Sequence, residues 1–142
     1  MVTAGNSAEE NKAVVLRYVE EVWNGHELDA IDGLVSSEYI NHAASTEEYR
    51  CGGARRIWEW ILCVFPDHRF EVEDASAEGQ TVALRGTMAA THEGELMGIE
   101  PTGKRVTVQQ LHWFRVIDGK VAEHWAVRDD LGMMQQLGVL PF

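Results

Sequence analysis

Gln110 and His112 occupy alternate positions of the apolar run from Val106 to Ile117, and Asp129 closes a second alternating run that begins at Lys120. A carboxylate held near an imidazole and an amide can do acid/base chemistry, provided desolvation raises its pKa and the imidazole tunes it. The same aspartate precedes a short apolar segment around Leu131, so capping the N-terminus of a helix is its other use. Spacing alone leaves both open.

The turn between the two runs decides what shares a wall. Asp118-Gly119 is a two-residue hairpin signal of type I′, which opposes Ile117 to Lys120 and sets every pair behind them. In that register Phe114 faces Glu123, His112 faces Trp125, Gln110 faces Val127 and Val108 faces Asp129, and this more apolar face is expected to point inward. Polar groups there cost roughly 1 to 3 kcal/mol each unless satisfied, so a ligand cavity or an internal hydrogen-bond network must repay them. His124, Arg128, Leu111 and Trp113 fall on the outer face, and Asp130 turns away to cap the final segment. A three-residue loop at the turn would reverse this parity.

The rest of the chain supplies the frame. Ser7 followed by Glu10 is a capping-box pattern, after which Asn11, Val15, Tyr18, Val19 and Val22 recur at helical spacing up to an αL cap at Asn24-Gly25. Leu28 to Val35 predicts a second short helix, and Glu38 to His42 an extended piece with Tyr39 and Asn41 on one side and Ile40 and His42 on the other. After Gly52-Gly53, the stripe Ala54, Ile57, Trp58, Ile61, Leu62, Phe65 predicts a third helix that Pro66 ends. From Arg69 the period becomes two, with Phe70, Val72, Val82, Leu84 and Met88 on one face and a Gly-rich loop from Glu93 to Lys104. Three helices followed by antiparallel strands give an α+β fold: a cone-shaped, curved antiparallel or mixed β-sheet closed by N-terminal helices. One domain spans residues 1–142, with residues 1–6 a loose tail.

Composition narrows the partners. Twelve Lys plus Arg against 23 Asp plus Glu give a net charge of -11, which disfavours nucleic acid and anionic membranes and leaves a hydrophobic small molecule as ligand. No apolar run is long enough to span a bilayer, and Cys51 and Cys63 read as free thiols of a cytoplasmic protein. The six histidines show no metal-ligand spacing on one element, so no metal is expected. Trp58 is expected in the core with Trp60 partly exposed, and Met97, Met133 and Met134 in core packing. Trp113 and Leu111, outward on the sheet, predict a homodimer or homotetramer interface.

Several segments together resemble a known family: Asn11-Lys12 to Val22-Trp23-Asn24-Gly25, Phe65-Pro66-Asp67, His92-Glu93-Gly94-Glu95-Leu96-Met97-Gly98-Ile99 with Pro101-Thr102-Gly103-Lys104, Phe114-Arg115 with Asp118-Gly119, and Glu123-His124-Trp125 to Gln135-Gln136-Leu137-Gly138. The chain resembles the SnoaL-like polyketide cyclases of the superfamily named after nuclear transport factor two, a cystatin-like α+β barrel. The resemblance implies a cofactor-free enzyme that closes a ring of an aromatic polyketide methyl ester by an intramolecular aldol reaction. It implies Asp129 as general acid/base, Gln110 and His112 as its partners, and no cofactor or metal. Tyr18, Asn41 and His42 are expected near the ligand, with Phe114, Trp125 and Val127 from the hairpin and Met88 lining the cavity. The same shape also carries cofactor-independent hydroxylases and binding-only domains; an epoxide-hydrolase site is disfavoured because Arg128 and Asp129, as neighbours, point to opposite faces.

Overall fold

Ser7 Oγ accepts from the Glu10 backbone N–H at 3.1 Å while the Glu10 carboxylate accepts from the Ser7 N–H at 3.0 Å, so the expected capping box opens the chain's first helix. The computed structural model describes residues 5–44 and 47–141. Of the expected tail, residues 1–4 lie outside the described residues; Gly5 and Asn6 have no regular structure. Helix α1 (Ala8–Tyr18) widens directly into a π-helix over Val19–Asn24, which puts Val19, Val22 and Trp23 all into the core.

The stop at Asn24-Gly25 has a different cause from an αL cap. Gly25 is right-handed, with φ -81°, and His26 takes the positive φ of 57°. Glycine is required because a Cβ would lie 2.6 Å from the Glu21 carbonyl oxygen.

A 3₁₀ turn (Leu28–Ala30) and α2 (Ile31–Leu34) form the second helical piece, followed by β1 (Val35–Asn41), α3 (Glu47–Cys51) and α4 (Ala54–Val64). Helix α3 was not legible in the residue pattern. Strands β2 (Arg69–Glu78), β3 (Thr81–Thr91), β4 (Arg105–Ile117) and β5 (Lys120–Arg128) and helix α5 (Asp130–Leu137) complete the α+β fold. The sheet order is β1-β5-β4-β3-β2, with β1 parallel to β5 and all other pairs antiparallel. The sheet is mixed and curved, and it remains open between β1 and β2 rather than closing as a barrel.

Helix α1 lies across the concave face. Asn11 Nδ2 donates to the Gly79 carbonyl at 2.9 Å, and Asn24 brackets Phe70 with a bond from Nδ2 to its carbonyl and one from its N–H to Oδ1. Two asparagines thus pin the helical entry to the β2–β3 hairpin. Val15, Tyr18, Val22, Trp23, Phe70, Val82, Leu84, Val108 and Phe114 are among the buried side chains between the layers. Trp58 joins this core and Trp60 is partly exposed, as the helical spacing requires, while Met133 is buried. Met97 is a correction: it is 70% exposed at φ 45°, because its loop projects outward from the turn closed by Leu96 and Ile99.

Strand β4 alternates strictly, with Val106, Val108, Gln110, His112, Phe114 and Val116 inward and Leu111 and Trp113 outward. The hairpin turn is of type I′, Asp118 and Gly119 having φ 51° and 75°, and Ile117 opposes Lys120 as expected. The register then departs from the simple alternation. Val116 pairs with Val121, but Arg115 pairs with Glu123, so Ala122 is an extra residue in a β-bulge. Every side chain beyond it changes face. Unbulged, the strand would drive Glu123 into the core; bulged, it puts His124 there and leaves Glu123 at the rim, 2.8 Å from His42 Nε2 and 3.2 Å from Arg115 Nε. Burying an unpaired carboxylate costs several kcal/mol, whereas a neutral imidazole can be satisfied inside, so the bulge is the cheaper solution.

Candidate active site

The bulge assembles a string of four polar side chains on the inner wall. Gln110 Oε1 lies 2.7 Å from His112 Nε2, His112 Nδ1 lies 2.8 Å from His124 Nε2, and His124 Nδ1 lies 3.2 Å from Asn41 Oδ1. All four residues are buried. Strand β4 supplies Gln110 and His112, β5 supplies His124, and the parallel pairing of β1 with β5 sets Asn41 opposite His124. Asn41 is further held through its Oδ1, which accepts from the Ala43 N–H at 3.1 Å.

Aromatic rings enclose the string. Trp23 from the π-helix lies 4.7 Å from the His112 ring in an edge arrangement, Phe70 lies 5.1 Å away, and Phe114 stacks on His124 at 4.6 Å. Trp58 Nε1 donates to the Tyr18 hydroxyl at 3.1 Å, and Trp58 also meets the ring of His68, whose Nδ1 lies 3.0 Å from the Trp23 carbonyl. Trp23, His68 and His124 join this cage although the alternation and helical stripes did not place them there, while Trp58 was expected only as core. Trp23 entered only as part of the segment Val22-Trp23-Asn24-Gly25 that carries the family resemblance, and His124 was expected on the outer face.

Burial governs the electrostatics of this cage. It pushes the His112 imidazole well below its ordinary pKa, with His124, Arg128 and His68 adding repulsion. Burial likewise takes His124 down to about 3, helped by Arg128 and His42. His68 falls to about 4 for the same reason, against the opposing pull of the Trp23 carbonyl. Burial raises the Tyr18 phenol to about 12, outweighing the indole N–H groups of Trp58 and Trp23, which favour the phenolate. The cage therefore holds neutral imidazoles and a neutral phenol at physiological pH.

The structure brings together Gln110, His112, Phe114, Tyr18, Asn41 and Met88, all buried on the concave side. It does not bring in the remaining expected residues. Trp125 faces outward, stacked on His42 at 4.6 Å with the Arg115 guanidinium over it, and Val127 is 72% exposed. The residue opposite His112 is Ala126, and Arg128 opposes Gln110 while its guanidinium stays exposed, 3.8 Å from Asp130 Oδ1. Asp129 lies beyond the end of β5, where its Oδ1 accepts from the Gly132 N–H at 2.9 Å as the N-cap of α5. Asp130, expected to be the cap, is the first residue of that helix. One unpaired residue, Ala122, accounts for the exchange of faces along β5.

A cleft of about 330 Å³ opens where β5 ends against the middle of β3 and β4; the outward-facing Arg85, Gln109, Leu111 and Val127 are among its walls with Arg128 and Asp129, and Gln110 is the member of the string that reaches it. The larger cleft of about 620 Å³ lies along the outer side of α4 between Tyr49 and Trp60, away from the string. Among the described residues no group of three or more His, Cys, Asp or Glu is placed to hold a metal ion. No described helix is long and apolar enough to cross a membrane.

The model of the SnoaL-like polyketide cyclases matches residues 13–137, nearly the whole of this fold. The chain belongs to the SnoaL-like polyketide cyclase family. Within it, aklanonic acid methyl ester cyclase DnrD of Streptomyces peucetius is 28% identical over 87% of this chain and 88% of its own length. The solved structure of AclR from Streptomyces galilaeus, described as a candidate hydroxylase, is 38% identical with a TM-score of 0.82, covering 96% of this chain and 89% of that one. IdmH of Streptomyces antibioticus, described as a candidate polyketide cyclase, is 29% identical with a TM-score of 0.75 over 91% and 99% of the two chains. This SnoaL-like chain is accordingly a cyclase-like enzyme with the family's α+β fold.

Proposed function

We propose that the enzyme closes a ring of a flat, largely apolar, oxygenated polyketide by cofactor-independent aldol chemistry, with the buried His112–His124 pair as its proton-handling group. The observation that carries this reading is the continuous string from Gln110 to Asn41 at hydrogen-bond distances, lodged in an aromatic cage beside the cleft at Gln110 and Arg128. Both rings are neutral before substrate binds; an enolate developing beside Gln110 offsets the burial that disfavours the imidazolium, so the pair accepts the proton of a carbon activated by neighbouring carbonyls as the opposite charge forms. Arg128 and the Gln110 amide meet the oxygen on which the enolate charge develops, and delocalisation into the substrate's own rings carries the rest. Tyr18, Phe114 and Met88 are buried in the core behind the string and hold it from within.

The family resemblance assigns the acid/base to Asp129, whose carboxylate here serves α5. Asn caps a helix as well as Asp, so Asp129→Asn separates the two uses. The test is conversion of aklanonic acid methyl ester, the compound in the S. peucetius relative's name, followed by mass spectrometry. Ring closure without change of mass, retained in Asp129→Asn and reduced by about 10²-fold or more in His112→Phe, is the expected result. Loss in Asp129→Asn with the fold intact moves the acid/base to that carboxylate.

A second reading has its own support. AclR, the candidate hydroxylase, shares more identity with this chain than DnrD does, 38% against 28%. Oxygen uptake with incorporation of label from ¹⁸O₂ into product would establish oxygenation in place of cyclisation. We also propose that the enzyme is a cytoplasmic homodimer, joined through the outward apolar residues Leu111, Trp113 and Val127 of the sheet; Leu111 and Val127 also border the cleft, so the second copy forms its outer wall.

A further inference from the structure

The string imposes a proton count. Asn41 Oδ1 is fixed as an acceptor by the Ala43 N–H, so His124 must carry its proton on Nδ1. In a neutral ring His124 Nε2 is then a lone pair, which accepts from His112 Nδ1–H at 2.8 Å. His112 Nε2 is in turn a lone pair, and the Gln110 amide must present its NH₂ to it. With the Gln110 oxygen toward His112 Nε2 instead, at 2.7 Å, the two rings must share three protons and carry one positive charge.

We propose that Asn41 is a positioning residue that sets the tautomers of His124 and His112, so that the Gln110 amide turns with the proton content of the pair. With the pair neutral, Gln110 donates to His112 and turns its carbonyl oxygen away, as an acceptor for a hydroxyl or enol at the cleft. With one proton added, Gln110 accepts from His112 and turns its NH₂ away, as a donor for an oxyanion. Taking up a proton and gaining a donor for an enolate oxygen thus become one event. The charged and titratable groups around the pair are Arg128 from β5, His42 at the end of β1 and His68 between α4 and β2; Tyr18 from α1 meets the same Trp23 that packs on His112. The carboxylates described at this wall stay at its rim, Glu123 with His42, Asp129 on α5, Asp130 3.8 Å from Arg128 Nε, and Glu73 at the far side of the cleft. This inference rests on the cleft being the reacting site, but its test does not require turnover.

The experiment is ¹⁵N NMR of the intact protein labelled at histidine, with the signals assigned by His112→Gln and His124→Gln. The expected spectrum at pH 7.5 has both rings neutral, with Nδ1 protonated and Nε2 bare. Asn41→Ala should release His124 from the Nδ1–H form. Asn41→Asp should stabilise the charged pair and raise its titration midpoint by about 1 to 3 pH units. A protonated Nε2 on either neutral ring of the native protein, or tautomers unmoved by both substitutions, overturns the proposal. If Asn41→Ala does not fold, the native spectrum and Asn41→Asp still decide it. Absence of turnover with these tautomers in place would defeat the proposed function and leave the inference standing.

Discussion

His112 Nδ1 and His124 Nε2 lie 2.8 Å apart inside the sheet, although uninterrupted alternation from the hairpin turn puts the two residues on opposite faces. The contact exists because Ala122 is unpaired. Deleting Ala122 would remove the bulge and leave Glu123 opposite Arg115 and His124 opposite Phe114 by simple alternation, so the deletion variant should still unfold cooperatively with His124 inside, measured by circular dichroism on heating, and loss of the fold would mean that the bulge does more than set parity.

Acid should destabilise the fold well before its carboxylates titrate. His68 and His124 have folded pKa values of about 4 and about 3, and His112 lies well below its ordinary value of 6.5. A depressed histidine binds fewer protons folded than unfolded. Its contribution is therefore complete above pH 6.5 and is lost as pH falls toward the folded value, at roughly 1 kcal/mol per pH unit for each ring. Urea midpoints measured from pH 7.5 to 4 should fall steadily, and His68→Leu should flatten the slope. A flat profile would mean that these rings are not buried neutral.

Asp129 is expected to matter to α5 whatever it does in chemistry. Asp129→Ala removes the acceptor for the Gly132 N–H and should cost about 1 kcal/mol, while Asp129→Asn should cost little. Chemical denaturation of the two variants measures the difference.

Gly86 is an inward β3 position that lies against the Phe70 ring. A Cβ there would lie 2.1 Å from the Glu71 carbonyl oxygen and 2.6 Å from Phe70 Cζ. Gly86→Ala should destabilise by about 1 to 3 kcal/mol and disturb the Phe70–His112 contact, visible as a lowered melting temperature and shifted aromatic NMR signals.

Leu111, Trp113 and Val127 are 55%, 51% and 72% exposed on one sheet face. In the proposed homodimer Trp113→Glu should give a monomer by light scattering with the fold unchanged. A monomeric native protein at micromolar concentration would leave that apolar face without the second copy.

Elements whose cause is local were legible in the residues. The Ser7–Glu10 capping box, the end of α4 before Pro66, the Asp118-Gly119 turn and the inward series along β4 each follow from a short-range rule, and each is present. Gln110, His112, Phe114, Tyr18, Asn41 and Met88 were legible as inward residues for that reason, and the family was legible in the combination of short segments. Strand β5 beyond Val121 was not. Its two possible faces differ by one unpaired residue, and the more apolar alternation, running from Val121 through Trp125 to Val127, is the one that the bulge breaks. The tertiary structure made the choice, because only there does Glu123 meet His42 and Arg115 at the rim while His124 meets His112, Asn41 and the Phe114 ring inside. The same choice carried Trp125 and Val127 outward, set Arg128 opposite Gln110 and left Asp129 to α5. Sequence determined which residues could do chemistry; the energetic difference between burying a carboxylate and burying a satisfied imidazole decided which of them face one another.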